Sequence, residues 1–157
     1  MPHNPATTPS TTRRLPPLLR RAWYSLNQTF RQRIAHLGIT PDQYSILRWL
    51  QEGDPRGLTQ QTLTDLMASD PNTITSILRR METAKLVTRH PHETDTRARR
   101  VCLESEGQRR LYAAFQIATE LQEQIISVIP DNRRARFLED LERVAQASSL
   151  AQSEREG

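Results

Sequence analysis

Six polar side chains crowd into the nine residues from 72 to 80: Asn72, Thr73, Thr75, Ser76, Arg79 and Arg80. No nucleophile stands at a fixed offset from a base, so the group is not built for covalent chemistry. Short amides and hydroxyls followed by guanidinium groups suit a different task, hydrogen bonding to nucleic-acid base edges with phosphate contacts alongside. A second group follows in the polar stretch between Thr88 and Arg100, where Arg97 and Arg99 are preceded by Asp95. A guanidinium carried on such a loop can enter a minor groove or clamp the backbone. An acid has no simple attraction to a polyanion, so Asp95 is assigned to orienting Arg97. The bland alternative for the first group is an ordinary solvated helix face, and it is the second group that turns the balance toward recognition.

Both groups need elements to hold them. Asp70-Pro71 reads as the N-cap and first residue of a helix reaching about Ala84. Ile74, Ile77, Leu78 and Met81 fall at i, i+3, i+4 and i+7, which sends them to the core and leaves Asn72, Thr75, Ser76 and Arg79 outward, with Thr73 and Arg80 on the flanks. Ahead of it, Thr59 caps a helix of barely two turns with Leu63, Leu66 and Met67 inward, and Ala68-Ser69 make the turn between the two. Behind it, Val101 and Leu103 alternate with Arg100 and Cys102 as a half-buried strand whose partner is residues 86–90. Helix, turn, helix and arginine-studded hairpin, from Leu58 to Leu103, form the layout of a winged helix-turn-helix.

The flanking segments are helical. Leu19, Trp23, Leu26, Phe30, Ile34 and Leu37 make one apolar stripe ending at Gly38, and Thr40-Pro41 opens a further helix that Gly53-Asp54-Pro55 stops. From Ser105 to Ile129, Leu111, Ala114, Phe115, Ala118, Leu121, Ile125 and Val128 trace a long stripe, and after Pro130-Asp131 a last helix carries Phe137, Leu138, Leu141, Val144 and Ala145. The fold class is therefore mainly α with a small β-hairpin: a winged helix-turn-helix lobe plus a helical dimerisation lobe built from the N- and C-terminal helices. Its expected divisions are a disordered tail at 1–17, a dimerisation helix at 18–37, the winged lobe at 38–104, C-terminal dimerisation helices at 105–150 and a second disordered tail at 151–157. Terminal helices that outgrow the central lobe have apolar surface to bury, and two-fold pairing would bury it.

Charge follows the same division. The 157 residues carry a net +4, with six Arg and no acid in 1–36, two bases against five acids in 37–70, nine against five in 71–110, and five against eight in 111–157. Positive charge is thus concentrated at the amino terminus and around the helix and hairpin, as an electrostatic footprint on a polyanion would be. The lone cysteine, Cys102, excludes an intrachain disulfide and an all-cysteine metal site. No apolar run approaches a membrane span and no signal-peptide core opens the chain, which points to a cytoplasmic protein. There is no phosphate-cradling glycine loop, nucleophile elbow or HExxH, so the chain is read as a non-enzyme without cofactor or resident metal. His90 and His92 flank Pro91 near Glu93 and Asp95 and are read as solvated rather than metal-binding. His36, at a helix end, caps carbonyls or lines a ligand cleft. Cys102 is read as a buried, inert thiol rather than an oxidant sensor.

Three segments, in order and at matching spacing, resemble the MarR family of winged helix-turn-helix transcriptional regulators: Asp70-Pro71-Asn72-Thr73-Ile74-Thr75; Leu78-Arg79-Arg80-Met81-Glu82 leading to Leu86-Val87-Thr88-Arg89; and Asp95-x-Arg97 followed by Val101-x-Leu103 and Gly107. The resemblance covers about Leu18 to Leu150. It implies a homodimeric repressor whose recognition helices occupy successive major grooves of double-stranded DNA at a pseudo-palindromic operator while the wings reach minor grooves, and whose release follows binding of a small aromatic or anionic effector between the two lobes. The other readings are a protein-interaction module that kept the fold, or a metal- or redox-gated sensor built on it. Two positions depart from the family pattern. Lys85 stands where glycine is usual, which implies a left-handed residue costing about 1 kcal/mol or a different helix ending. Glu104 stands where threonine is usual, which would pass the N-cap to Ser105.

Overall fold

The computed structural model describes residues 13–154. Helix α1 (Leu15–Ile34) starts inside the stretch whose composition suggests a tail, with prolines in its first turn. Amide hydrogens there have no intrahelical acceptor, so Pro16 and Pro17 remove nothing the helix uses. The rest of the expected tail, 1–12, lies outside the described residues. After a 3-10 turn (Ala35–Leu37), Gly38 closes the segment at φ 68°, in the left-handed region glycine enters freely. Helix α2 (Pro41–Glu52) opens on a reciprocal capping box, the Gln43 N–H donating to Thr40 Oγ1 at 3.2 Å and the Thr40 N–H to Gln43 Oε1 at 3.0 Å.

Strand β1 (Leu58–Thr59) leads into α3 (Gln60–Leu66) and α4 (Pro71–Thr83), after which β2 (Val87–Pro91) and β3 (Arg99–Leu103) form the hairpin. The sheet has three antiparallel strands in the order β1-β3-β2, not the hairpin alone that alternation suggests. Two residues are too few for an alternating pattern, so β1 left no trace in the sequence. Its register, Leu58 opposite Val101, brings the chain so close that a Cβ on Gly57 (φ +99°) would lie 2.5 Å from the Val101 carbonyl oxygen. In the hairpin Val87 faces Leu103 and Pro91 faces Arg99, and Pro91, which has no N–H for a ladder, stands at the end of an edge strand.

The core of this lobe is Ile46, Leu47, Leu63, Ile74, Leu78, Met81, Leu86, Val87, Val101 and Leu111, each at most 2% exposed. Burial of each such side chain contributes about 1.5–3 kcal/mol. Helix α5 (Ser105–Ile126) joins it through Gly107, where a Cβ would fall 2.2 Å from the Leu86 carbonyl oxygen. That same carbonyl accepts the Glu104 N–H at 3.0 Å, and Gln108 N–H donates to the Glu104 carbonyl at 2.9 Å. Glu104 is thereby pinned at the end of the sheet, and Ser105, the expected N-cap, becomes the first helical residue instead.

The chain divides into two compact units, Met1–Ile117 and Ala118–Gly157, with α5 crossing the division. In the second, Arg134 Nε donates to the Ile129 carbonyl at 2.8 Å and its guanidinium pairs with Asp131 at 2.7 Å, fastening the first turn of α6 (Asp131–Ser153) below the Pro130 break. Helix α6 extends to Ser153, past the expected start of the carboxyl tail at 151. Among the described residues no helix is long and apolar enough to cross a membrane.

Candidate nucleic-acid interface

Helix α4 is fixed at both ends by its own neighbours. Asp70 accepts the Thr73 N–H at 2.9 Å and the Thr73 hydroxyl at 2.6 Å, and these bonds hold its carboxyl below the usual aspartate range. At the other end the Leu86 N–H reaches the Met81 carbonyl and the Lys85 N–H the Glu82 carbonyl, both at 2.9 Å, around Lys85 at φ 58°. This is the Schellman closure with lysine in the glycine position, the first of the two endings the sequence left open. The α3–α4 turn repeats it: Ala68 stands at φ 48°, with Ser69 N–H on Thr64 and Ala68 N–H on Asp65.

The outward residues of α4 fall into two kinds. Thr73 gives its hydroxyl proton to the cap. Thr75 donates to the Pro71 carbonyl at 2.7 Å and accepts from Gln60 Nε2 of α3 at 2.5 Å, so its hydroxyl is engaged and half-buried. Asn72 and Ser76 are exposed, and no side-chain hydrogen bond inside the described chain occupies them. Arg79 and Arg80 are exposed as well. Asn72, Thr73, Ser76 and Arg80 share an open groove of about 450 Å³ with Asp42 and Ile77, and on the other side of α4 a groove of about 570 Å³ runs between α3 and the hairpin past Gln60, Thr64, Arg89 and Arg97.

The wing turn, 92–98, is shaped by polar bonds. The Asp95 and Thr94 N–H groups donate to His92 Nδ1 at 3.0 and 3.2 Å, the Arg97 N–H donates to Asp95 Oδ1 at 2.9 Å, and the His92 N–H closes the turn on the Ala98 carbonyl at 3.2 Å. Asp95 therefore shapes the backbone under Arg97 through the Arg97 N–H. Arg97 is exposed in the turn. Arg99, read from the sequence as carried on the same loop as Arg97, lies instead at the start of β3 opposite Pro91, also exposed. Arg89 Nε lies 3.0 Å from Glu82 Oε2, near enough for attraction but not aligned as a hydrogen bond.

Sequence reasoning missed Arg100, Glu93, Arg56 and Gln60. Arg100 alternates with Val101 and looks like an outward cation, yet its side chain is 14% exposed and paired with Glu93 at 2.8 Å. Arg100, first among several causes, draws the Glu93 carboxyl down to about 2. Only the partners reveal this role, and they come from separate parts of the chain. Cys102 donates its thiol to the Arg56 carbonyl at 3.2 Å, and burial pushes its pKa up, the condition of an unreactive thiol. His90 Nε2 lies 3.0 Å from the Thr88 hydroxyl, and among the described residues no three His, Cys, Asp or Glu side chains gather as metal ligands would.

Comparison with known proteins places this geometry. The MarR family model matches residues 37–98. The transcriptional regulator HosA of Escherichia coli O111:H- is 28% identical over 135 residues, covering 83% of this chain and 98% of HosA. Among solved structures, the S. aureus MepR-DNA complex superposes with a TM-score of 0.77 at 23% identity, covering 83% of this chain and 95% of MepR. CouR from Rhodococcus jostii RHA1 bound to p-coumaroyl-CoA does so with a TM-score of 0.73 at 23% identity, covering 82% and 89%. Family model and curated relative alike are of transcriptional regulators, which are not enzymes. The winged lobe thus matches the MarR family model over residues 37–98, the chain is similar along most of its length to a transcriptional regulator, and its fold is that of the MepR and CouR structures.

Proposed function

We propose that this regulator binds double-stranded DNA as a cytoplasmic homodimer, represses from a pseudo-palindromic operator and is released by a small aromatic or anionic effector. The observation that carries the DNA reading is the exposed face of α4, where Asn72 and Ser76 present unengaged hydrogen-bonding groups beside Arg79 and Arg80. A major groove admits one helix, and an amide or hydroxyl near its amino end can meet base edges while guanidiniums farther along reach phosphates. Thr73 and Thr75 support that face through the cap and through Gln60. Arg97 and Arg99 are assigned to the minor groove or the backbone beside it. MepR was solved with DNA, which supports this use of the fold.

Dimerisation is supported by the apolar side chains that single helices leave in solvent: Trp23 at 62% and Tyr24 at 64% on α1, and Phe137 and Leu138 on α6. The bound p-coumaroyl-CoA of CouR supports a small-molecule effector for this fold. The test is selection of duplexes from a random pool by the purified chain, followed by affinity against salt and light scattering. A dimer touching about six to ten phosphates loses affinity with a logarithmic slope near −0.9 per phosphate, and the selected site should carry two half-sites about one helical turn apart. A flat salt response, or a monomer on DNA without paired half-sites, overturns the proposal.

A further inference from the structure

The arginines of the hairpin are not interchangeable, and the difference is one of partners. Arg100 places Nε 2.8 Å from Glu93 Oε2 and 3.1 Å from Oε1, and its NH1 donates to the Gly57 carbonyl at 2.8 Å. Arg56, in the loop between α2 and β1, donates to the same carboxylate at 2.9 Å and to Asp54 at 2.8 Å. Asp54, Arg56, Glu93 and Arg100 thus alternate in sign along a chain from that loop to the first residues of the wing turn. The loop cannot drift away on its own, because Gly57 is seated against the Val101 carbonyl and the Arg56 carbonyl receives the Cys102 thiol.

The wing turn needs such a tie. A two-stranded hairpin is marginal by itself, and residues 92–98 include no apolar side chain except Ala98 to bury. Freedom left in the turn would have to be lost again when the wing meets DNA, at the expense of affinity. Arg100, with its donors turned inward, is badly placed to neutralise a phosphate.

From this we infer that Glu93, bridged by Arg56 and Arg100, is a positioning residue that latches the wing turn to the α2–β1 loop and so sets where Arg97 and Arg99 meet DNA. The inference rests on the DNA reading given above. It also makes a prediction of unusual sign. Removing an acid from beside a polyanion strengthens binding if charge alone matters, whereas removing the latch weakens it.

The experiment measures affinity for a duplex selected by the wild-type chain from a random pool, for wild type, Glu93→Gln, the double variant Arg97→Ala/Arg99→Ala, and the triple variant. Thermal unfolding is followed for each, with Arg56→Gln as a second way to open the bridge. Glu93→Gln should weaken binding roughly threefold to tenfold with little change in melting. That weakening should vanish in the Arg97→Ala/Arg99→Ala background, where no guanidinium remains to be positioned. Tighter or unchanged binding by Glu93→Gln, or an equal loss in both backgrounds, overturns the latch. Failure of the wild-type chain to select any duplex overturns the DNA reading instead, and is seen before any variant is made.

Discussion

Helix α4 and the wing share one proposed task but are specified by opposite means. The start, core side and end of α4 are set between residues 70 and 86, by the Asp70 cap, Pro71, the apolar stripe, and the closure through Lys85 onto Met81 and Glu82, with the distant Gln60 side chain bonded to it. The wing depends on residues far away in the chain. Leu58 and Thr59 supply its third strand and Gly57 the close approach, Arg56 and Gly57 hold Glu93 and Arg100, and Gly107 admits the Leu86 carbonyl at its base. A locally specified helix should tolerate change elsewhere, and a wing assembled from distant pieces should not.

The largest effects expected from this contrast are those of Gly57→Ala and Gly107→Ala. The new methyl would meet backbone oxygen at 2.5 Å in one case and 2.2 Å in the other, and Gly57 also stands at φ +99°. Each should lose about 2–3 kcal/mol in urea unfolding, since backbone cannot yield as a flexible side chain does. Ser76→Ala on the outer face of α4 should stay within about 0.5 kcal/mol of wild type. Comparable losses from all three would erase the contrast.

Next in size are effects on DNA affinity. Arg97→Ala with Arg99→Ala should weaken binding to every duplex and reduce the salt slope by about 0.9 for each phosphate left without its guanidinium. A slope that stays unchanged while the preferred sequence shifts would move base reading from α4 to the wing. Conversely, Asn72→Ala or Ser76→Ala should change preference among selected sequences by about tenfold at one base pair and leave the slope alone. Thr75→Val separates the two kinds of residue on this face. It should leave preference unchanged and lower stability by about 1 kcal/mol, because the Gln60 amide loses its acceptor. A shifted preference in Thr75→Val would return that hydroxyl to the reading set.

The same contrast explains what could be read from sequence. Caps, prolines and a 3.6-residue period act within a few residues, so α2, α3 and α4 were legible nearly to their ends, along with the separation of Asn72 and Ser76 from the core side. Strand β1 was not, since a two-residue strand exists only through its register with β3. The pairing of Arg100 was not legible either, because alternation says which face a residue occupies but not what else stands on that face. Gln60 gave no hint of its bond to Thr75, fifteen residues on, and the spacing of Asp95 and Arg97 did not say that the bond between them would be to the Arg97 N–H. Gly107 entered only through the family resemblance, and the Leu86 carbonyl supplies its reason.

Lys85 offers the smallest and sharpest test of local specification. At φ 58° a side chain costs about 1 kcal/mol that glycine would not incur, although glycine also adds freedom to the unfolded chain. Lys85→Gly should therefore stabilise by no more than about 1 kcal/mol, and Ala68→Gly, at φ 48° in the matching closure of α3, by a similar amount. If α4 is specified by its own ends, the gain at Lys85 should appear in urea unfolding without any change in the DNA sequence selected, because the closure is already formed in the wild-type chain. An altered selection in Lys85→Gly would mean that the ending of α4 also sets the placement of the wing that begins two residues later, and that the helix and the wing are coupled through the residue that joins them.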